Sequence, residues 1–226
     1  MKLLAIETAT EACSAALYQD GEVTERYQIA PRGHTDLILP MVDGLLAEAG
    51  LKPAQLDAIT FGRGPGAFTG VRIATGVVQG IAFALELPVV PVSTLAALAQ
   101  GGRREFGWTS VAVAIDARMG EVYWGLFEES GDGNMQVVGG ELVSPPQQVP
   151  LLHGHQWHGI GSGWHSYATE LAERQGVAMV DAIGDYFPHA QDVATLAAAA
   201  YQRGETVSAE QALPHYLRDQ VVQKPK

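Results

Sequence analysis

The chain has 226 residues, 47% of them hydrophobic, which is enough to bury a sizeable core in one large or two small domains and excludes a disordered chain. Its 14 basic against 25 acidic residues leave a formal net charge of −11, and Arg103-Arg104 is the only adjacent basic pair, so this chain alone is expected to bind RNA poorly. The single cysteine, Cys13, rules out an internal disulfide, and its place in an alternating strand marks it as a small core residue rather than a nucleophile.

Leu3 to Ala9 and Cys13 to Leu17 read as a strand, a short turn and a second strand. Alternation over Glu22–Ile29 predicts a third strand, and apolar spacing from about Asp36 to Ala49 predicts a helix. A strand over 56–61, a helix over 70–86 with Thr69 as its N-cap, and a strand over 89–92 follow. Residues 71–87 come nearest to a membrane span but are interrupted by Arg72, Gln79 and Glu86, and no basic start leads into a long apolar run. A cytoplasmic protein that does not enter the membrane is expected.

Ser93 to Gly101 reads as helical, and Gly101-Gly102 marks a boundary that divides the chain into 1–101 and 102–226. The second half opens with another hairpin near 114–127, then a loop-rich stretch over 129–154 with Pro145-Pro146 and Pro150. A strand near 156–160, a Gly161-Ser162-Gly163 turn, a helix over 164–175, a strand over 177–181, a helix over 192–203 and an extended tail complete it. The two hairpins align without a gap, Ala5-Ile6-Glu7 over Ala114-Ile115-Asp116 and Leu17-Tyr18 over Leu126-Phe127. A duplicated α/β domain is one reading and chance similarity of two hairpins the other.

Between the strand ending at Phe61 and the helix beginning near Gly70 lies Gly62-Arg63-Gly64-Pro65-Gly66-Ala67-Phe68-Thr69. Glycines admit close backbone approach and a helix start attracts anions, so a phosphate cradle is the generic expectation. No Gly-Lys pair occurs in the chain, which excludes a Walker A loop. Gly62-x-Gly64-x-x-Ala67 fits the loose dinucleotide pattern, but Ser93 and Thr94 follow the next strand where a ribose-binding acid belongs.

Taken whole, GRGPGAFTGVR resembles the signature of the TsaB (YeaZ) family, the non-catalytic relatives of the TsaD (Gcp, Kae1-like) proteins. The opening hairpin, the helix from His34 to Leu46 and the ending Pro214-His215-Tyr216-Leu217-Arg218 resemble the same family, so that the likeness runs nearly end to end. It implies an actin-like ATPase (ASKHA) fold of two duplicated α/β subdomains with mixed sheets flanked by helices. That superfamily uses an Asp-x-Gly turn in each hairpin to hold magnesium and phosphate. Here the turns read Glu7-Thr8-Ala9-Thr10 and Asp116-Ala117-Arg118-Met119, and neither has the glycine. Glu7, Thr8, Gly64, Gly66 and Asp116 are therefore expected to mark a degenerate nucleotide-proximal site.

Catalytic TsaD relatives also carry a His-x-x-x-His metal pair, and in this chain Thr94 and Leu98 stand at those positions. No catalytic residue, metal ligand or cofactor is expected. His153, His155, His158 and His165 match no zinc spacing and read as surface histidines. The Gly159-Ile160-Gly161-Ser162-Gly163 run resembles a second nucleotide loop, or serves as a tight strand-to-helix connection.

The resemblance implies an accessory subunit that binds TsaD, with the ATPase TsaE, in forming threonylcarbamoyladenosine beside the anticodon of tRNAs reading codons that begin with A. Contact with tRNA would be indirect, and a homodimer is expected when TsaD is absent. The alternative is an independent actin-like metal- or ATP-dependent enzyme, a kinase or hydrolase. The partner surface is expected on the first two helices, at Leu37, Met41, Leu45, Arg72, Gly76, Gly80 and Ala84. Apolar residues of 37–49 cover an arc of about 200° on a helical wheel, more than one sheet requires. Gly76, Gly80 and Ala84 recur every four residues as a face that another helix can approach, while Ile73, Val77 and Ile81 are expected to meet the sheet. The competing reading is that the two helices bury each other.

Overall fold

The computed structural model describes residues 1–154 and 156–218, apart from the side chain of Val177. Each half is built on a five-stranded mixed sheet. The first comprises β1 (Lys2–Glu7), β2 (Ala12–Gln19), β3 (Glu22–Ile29), β4 (Ala58–Gly62) and β5 (Val89–Val92), in the order β3-β2-β1-β4-β5. The second comprises β6 (Ser110–Asp116), β7 (Val122–Glu129), β8 (Met135–Ser144), β9 (Trp157–Ile160) and β10 (Met179–Ile183), in the order β10-β9-β6-β7-β8. Both sheets pair their first three strands antiparallel as a meander and add the last two in parallel on the other side of the first strand. The same topology occurring twice is the duplication expected of the actin-like fold. The hairpins differ in register, however. Glu7 pairs with Ser14, seven positions on, whereas Asp116 pairs with Val122, six positions on, so the two turns are not equivalent despite the gap-free sequence match.

β1 is apolar at nearly every position because both of its faces are covered. Leu4 and Ile6, with Ile59 and Phe61 of β4, face α1 (His34–Glu48) and α2 (Phe68–Leu85). Leu3 and Ala5 face α6 (Ala190–Gln202), whose Ala190, Ala194 and Ala197 permit close seating. On the second sheet, Val111, Val113 and Ile115 meet α3 (Thr94–Phe106), while Ala112 and Ala114 meet the layer holding α4 (Ser162–Ser166) and α5 (Ala168–Gln175). Each fully buried Leu, Ile or Phe contributes about 1.5–3 kcal/mol.

The halves exchange helices: α6, late in the chain, covers the first sheet, and α3, which leaves the first sheet, covers the second. The expected boundary at Gly101-Gly102 consequently falls inside α3. Those glycines pack closely rather than ending the helix. A Cβ on Gly101 would lie 2.6 Å from the Tyr186 hydroxyl, and one on Gly102 would lie 3.1 Å from the Trp108 ring. The helix ends instead at Gly107, which takes φ +71°.

Other expectations are corrected too. The stretch 129–154 contains the edge strand β8, hidden in the sequence by Gly139-Gly140 and an exposed pattern without alternation. The helix expected over 164–175 is two, broken at Tyr167. Ala67, not Thr69, precedes the first turn of α2, with no side-chain cap. Cys13, by contrast, is the buried core residue that its place in the strand predicts.

Candidate functional site

The glycine-rich segment does approach a backbone closely, but the backbone is its own. A Cβ on Gly66 would lie 2.3 Å from the Ala9 carbonyl, and one on Gly70 would lie 2.0 Å from the Thr8 carbonyl. The amide of Ala67 donates to Ala9 at 2.7 Å, and the Thr8 hydroxyl donates to the Gly70 carbonyl at 2.7 Å. Loop and β1–β2 turn are thus fastened together where the generic expectation put an anion. Gly64, at φ +97°, faces the C-terminal segment, its missing Cβ 3.1 Å from the His215 carbonyl.

Glu7 lies beneath this junction, fully buried. Burial pushes its carboxyl up to about 7, against hydrogen bonds donated by the Ala9 amide at 2.6 Å and the Thr94 hydroxyl at 3.1 Å. A Cβ on Gly62 would fall 1.7 Å from Glu7 Oε2, so the first glycine of the segment exists to seat this carboxylate. Thr94 is used up by Glu7, and Leu98 is buried in the core over the second sheet. The two positions where the resemblance places metal ligands therefore perform structural work. Among the described residues no group of three or more His, Cys, Asp or Glu is placed to hold a metal ion.

A cavity of about 590 Å³ separates the halves. Of the expected nucleotide-proximal residues, Gly66 and Asp116 line it, whereas Glu7, Thr8 and Gly64 do not. Asp116 is surrounded by donors of the chain itself. Its carboxylate accepts from the Arg118 amide at 2.8 Å, the Arg118 guanidinium at 2.9 Å and, at longer range, Tyr167 and Ser166. The side chain of Arg118 also reaches to 3.8 Å from Glu11 of the first half. A guanidinium of the chain itself thus pairs with the Asp116 carboxylate in the cleft. Gly161 and Gly163 pack on Ala114, with Cβ positions 2.5 Å and 2.7 Å from its atoms, and the Asp116 amide donates to Ser162 Oγ at 3.1 Å. Tyr123, Tyr216 and Arg218 also line the cavity. Sequence reasoning missed them because they meet only through the return of the C-terminal segment across the cleft.

The histidines are dispersed. His158 pairs with Asp181 at 2.6 Å and stacks on Trp108, and His165 pairs with Asp185 at 3.2 Å. His155 lies outside the described residues.

The expected partner surface divides. Met41 and Leu45, 8% and 1% exposed, point into the core of the first half, and Leu37 is half-buried against the same cluster, so most of the apolar arc of α1 is spent within the domain, with Leu39 left 49% exposed. The face of α2 on the sheet is Val71, Ala74, Val78 and Ala82, with Ile73, Val77 and Ile81 at its margin rather than its centre. Arg72, Gly76, Gly80 and Ala84 face outward and are exposed. A Cβ on Gly76 or Gly80 would meet nothing within 4 Å. Phe68 and Phe83, 53% and 70% exposed, flank this strip. By length and composition α2 could pass for a membrane span.

A family model described as "TsaD: tRNA N6-adenosine threonylcarbamoyltransferase" matches residues 21–226. The chain is 42% identical over 229 residues to the tRNA threonylcarbamoyladenosine biosynthesis protein TsaB of Escherichia coli strain K12, with 99% of this chain and 97% of that one covered. It is 39% identical to the protein of the same name from Haemophilus influenzae, with 99% and 96% covered. Among solved structures, YeaZ from Pseudomonas aeruginosa superimposes with a TM-score of 0.90 at 52% identity, covering 96% of this chain and 99% of that one. With its duplicated sheets, its signature segment folded onto its own hairpin turn, and these full-length matches, the chain belongs to the TsaB family.

Proposed function

We propose that this chain is a non-catalytic partner subunit in the formation of threonylcarbamoyladenosine on tRNA, acting by binding a TsaD-type protein together with TsaE in the cytoplasm. The observation that carries the reading is the outer face of α2. Gly76, Gly80 and Ala84 make a strip without bulk, and exposed Phe68 and Phe83 frame it. Helices approach within about 8–10 Å where side chains are small, and exposed aromatic anchors supply the desolvation energy of an interface. A Cβ on Gly76 or Gly80 would meet no other atom of the chain within 4 Å, which favours a partner over the competing reading that α1 and α2 cover each other.

The interior of the protein supports the same reading. Glu7, Thr94 and Leu98 are absorbed into the core, and Asp116 is held by Arg118. The excess of acidic residues leaves tRNA to the partner. The same strip serves a second copy of this chain when the partner is absent. Size-exclusion chromatography with a TsaD-type protein tests the proposal: the parent chain co-elutes and Gly80→Arg does not, with its circular dichroism unchanged. Co-elution of a folded Gly80→Arg places the interface elsewhere.

A further inference from the structure

The segment after α6 does not simply trail off. Val207 pairs with Val89 at the edge of the first sheet, and Ala209 and Ala212 are buried in the core beneath α1 and α2. Gln79 of α2 donates to the Ala212 carbonyl at 3.0 Å, and the His215 amide donates to the Arg63 carbonyl in the glycine-rich segment at 2.8 Å. The segment is therefore anchored to the first half as far as His215.

Three residues later it is fastened to the second half. The Arg218 guanidinium donates to the Ala117 carbonyl at 3.0 Å and to the Glu121 carboxylate at 2.5 Å, in the turn that follows Asp116. The Arg218 side chain is only 17% exposed. The Arg118–Glu11 contact, which also crosses the cleft, is long and lies between more exposed groups, so Arg218 is the firmer tie.

Between the two fastenings sits Tyr216. Its ring packs on Phe68 with centroids 5.9 Å apart, and its hydroxyl accepts from Arg72 Nε at 2.9 Å, while the Arg72 guanidinium lies 3.7 Å over the Phe68 ring. Phe68, Arg72 and Tyr216 are all exposed and belong to the strip along α2. Anything that covers the strip covers Tyr216, and displacing or pinning Tyr216 moves a chain whose next anchor, two residues on, is the opposite wall of the cleft.

We propose that Pro214–Arg218 is a clasp that ties the opening of the cleft to occupancy of the outer face of α2. Gly64 is its bed, since a side chain there would press on the His215 carbonyl. A partner that binds Tyr216 in its seated position favours the clasped state, and a clasped state pre-forms the partner surface, because coupling between two sites is reciprocal. This rests on the assignment of that face to a partner made above.

Hydrogen exchange and partner affinity test it, using the full chain and the variants Tyr216→Ala, Arg218→Gln and Glu121→Gln, each first shown to be folded by circular dichroism. Tyr216→Ala speeds exchange in the 117–121 turn, although its ring packs on α2. Arg218→Gln and Glu121→Gln, made on opposite sides of the cleft, each weaken binding to a TsaD-type protein by about five- to tenfold. The clasp is overturned if Tyr216→Ala leaves the 117–121 turn exchanging at the parent rate, or if Arg218→Gln frees that turn and binds the partner as tightly as the parent. Should the parent chain itself fail to bind the TsaD-type protein, the proposed function is at fault, and the Tyr216→Ala exchange result alone decides the clasp.

Discussion

The Thr94 hydroxyl donates to the Glu7 carboxylate across 3.1 Å with both side chains fully buried, joining the end of β1 to the first turn of α3. The bond links the strand at the centre of the first sheet to the helix that covers the second. It also binds an ionisable group that, among the described residues, has no cation as a hydrogen-bond partner, which makes the contribution of Glu7 to stability depend on pH.

The folded chain holds the Glu7 proton up to about pH 7, against an ordinary value of 4.5. The unfolded chain releases it first, so the contribution of Glu7 to stability is full below pH 4.5 and is lost through the window from 4.5 to 7, by about 3 kcal/mol. Glu7→Gln removes that decline. Urea midpoints at pH 5 and pH 8 should show the variant gaining on the parent at the higher pH, and equal pH dependence in both would show that Glu7 is not the group responsible.

Gly62→Ala forces a methyl group onto the Glu7 carboxylate, with 1.7 Å available. A loss of about 3 kcal/mol is expected, as for overpacking of a rigid site. The double variant Glu7→Ala with Gly62→Ala should lose less than the sum of the two single changes, by at least about 1 kcal/mol. Strict additivity would mean that the loop shifts away from Glu7 instead.

Gly80→Arg and Met41→Glu should part company. The first adds bulk in open space and should leave the melting temperature within about 2 °C of the parent while abolishing association. The second buries a carboxylate among Ile38, Val42 and Leu45 and should cost more than about 3 kcal/mol. Circular dichroism melts of the two decide it. A stable Met41→Glu would return α1 to the partner surface.

Arg104 donates to both oxygens of Asp192, at 2.9 Å and 3.0 Å, where α3 crosses α6. Asp192 is almost fully buried, and burial raises its carboxyl against the pull of Arg104. Arg104→Ala strands that carboxylate and should cost about 3–5 kcal/mol. Adding Asp192→Asn should restore part of the loss in urea titrations; no recovery would locate the effect in packing of the arginine stem.

The isolated chain should bind labelled tRNA no more tightly than about 10⁻⁴–10⁻⁶ M at physiological salt. It should not turn over ATP with added magnesium. Nanomolar tRNA binding, or metal-dependent turnover abolished by Asp116→Ala, would revive the enzyme reading.

Much of this was legible along the chain because it depends on local pattern. The apolar run of β1, the hairpins, the signature segment, and the threonine and leucine at positions 94 and 98 are properties of neighbouring residues, and they determined the fold class and the family. Strand β8 was illegible because an edge strand with Gly139-Gly140 buries too little to leave an alternating trace. What tertiary structure alone decided concerns which surfaces meet. Hydrophobic spacing shows that α1 and α2 each have an apolar face, but only packing shows that Met41 and Leu45 are consumed by the sheet while Gly76 and Gly80 are left outside. Glycines read alike in sequence, whether they cradle a ligand, admit a turn or seat a carboxylate. The atom that fills the missing Cβ position tells them apart, and at Gly62, Gly66 and Gly70 that atom comes from Glu7, Ala9 and Thr8, more than fifty residues away along the chain.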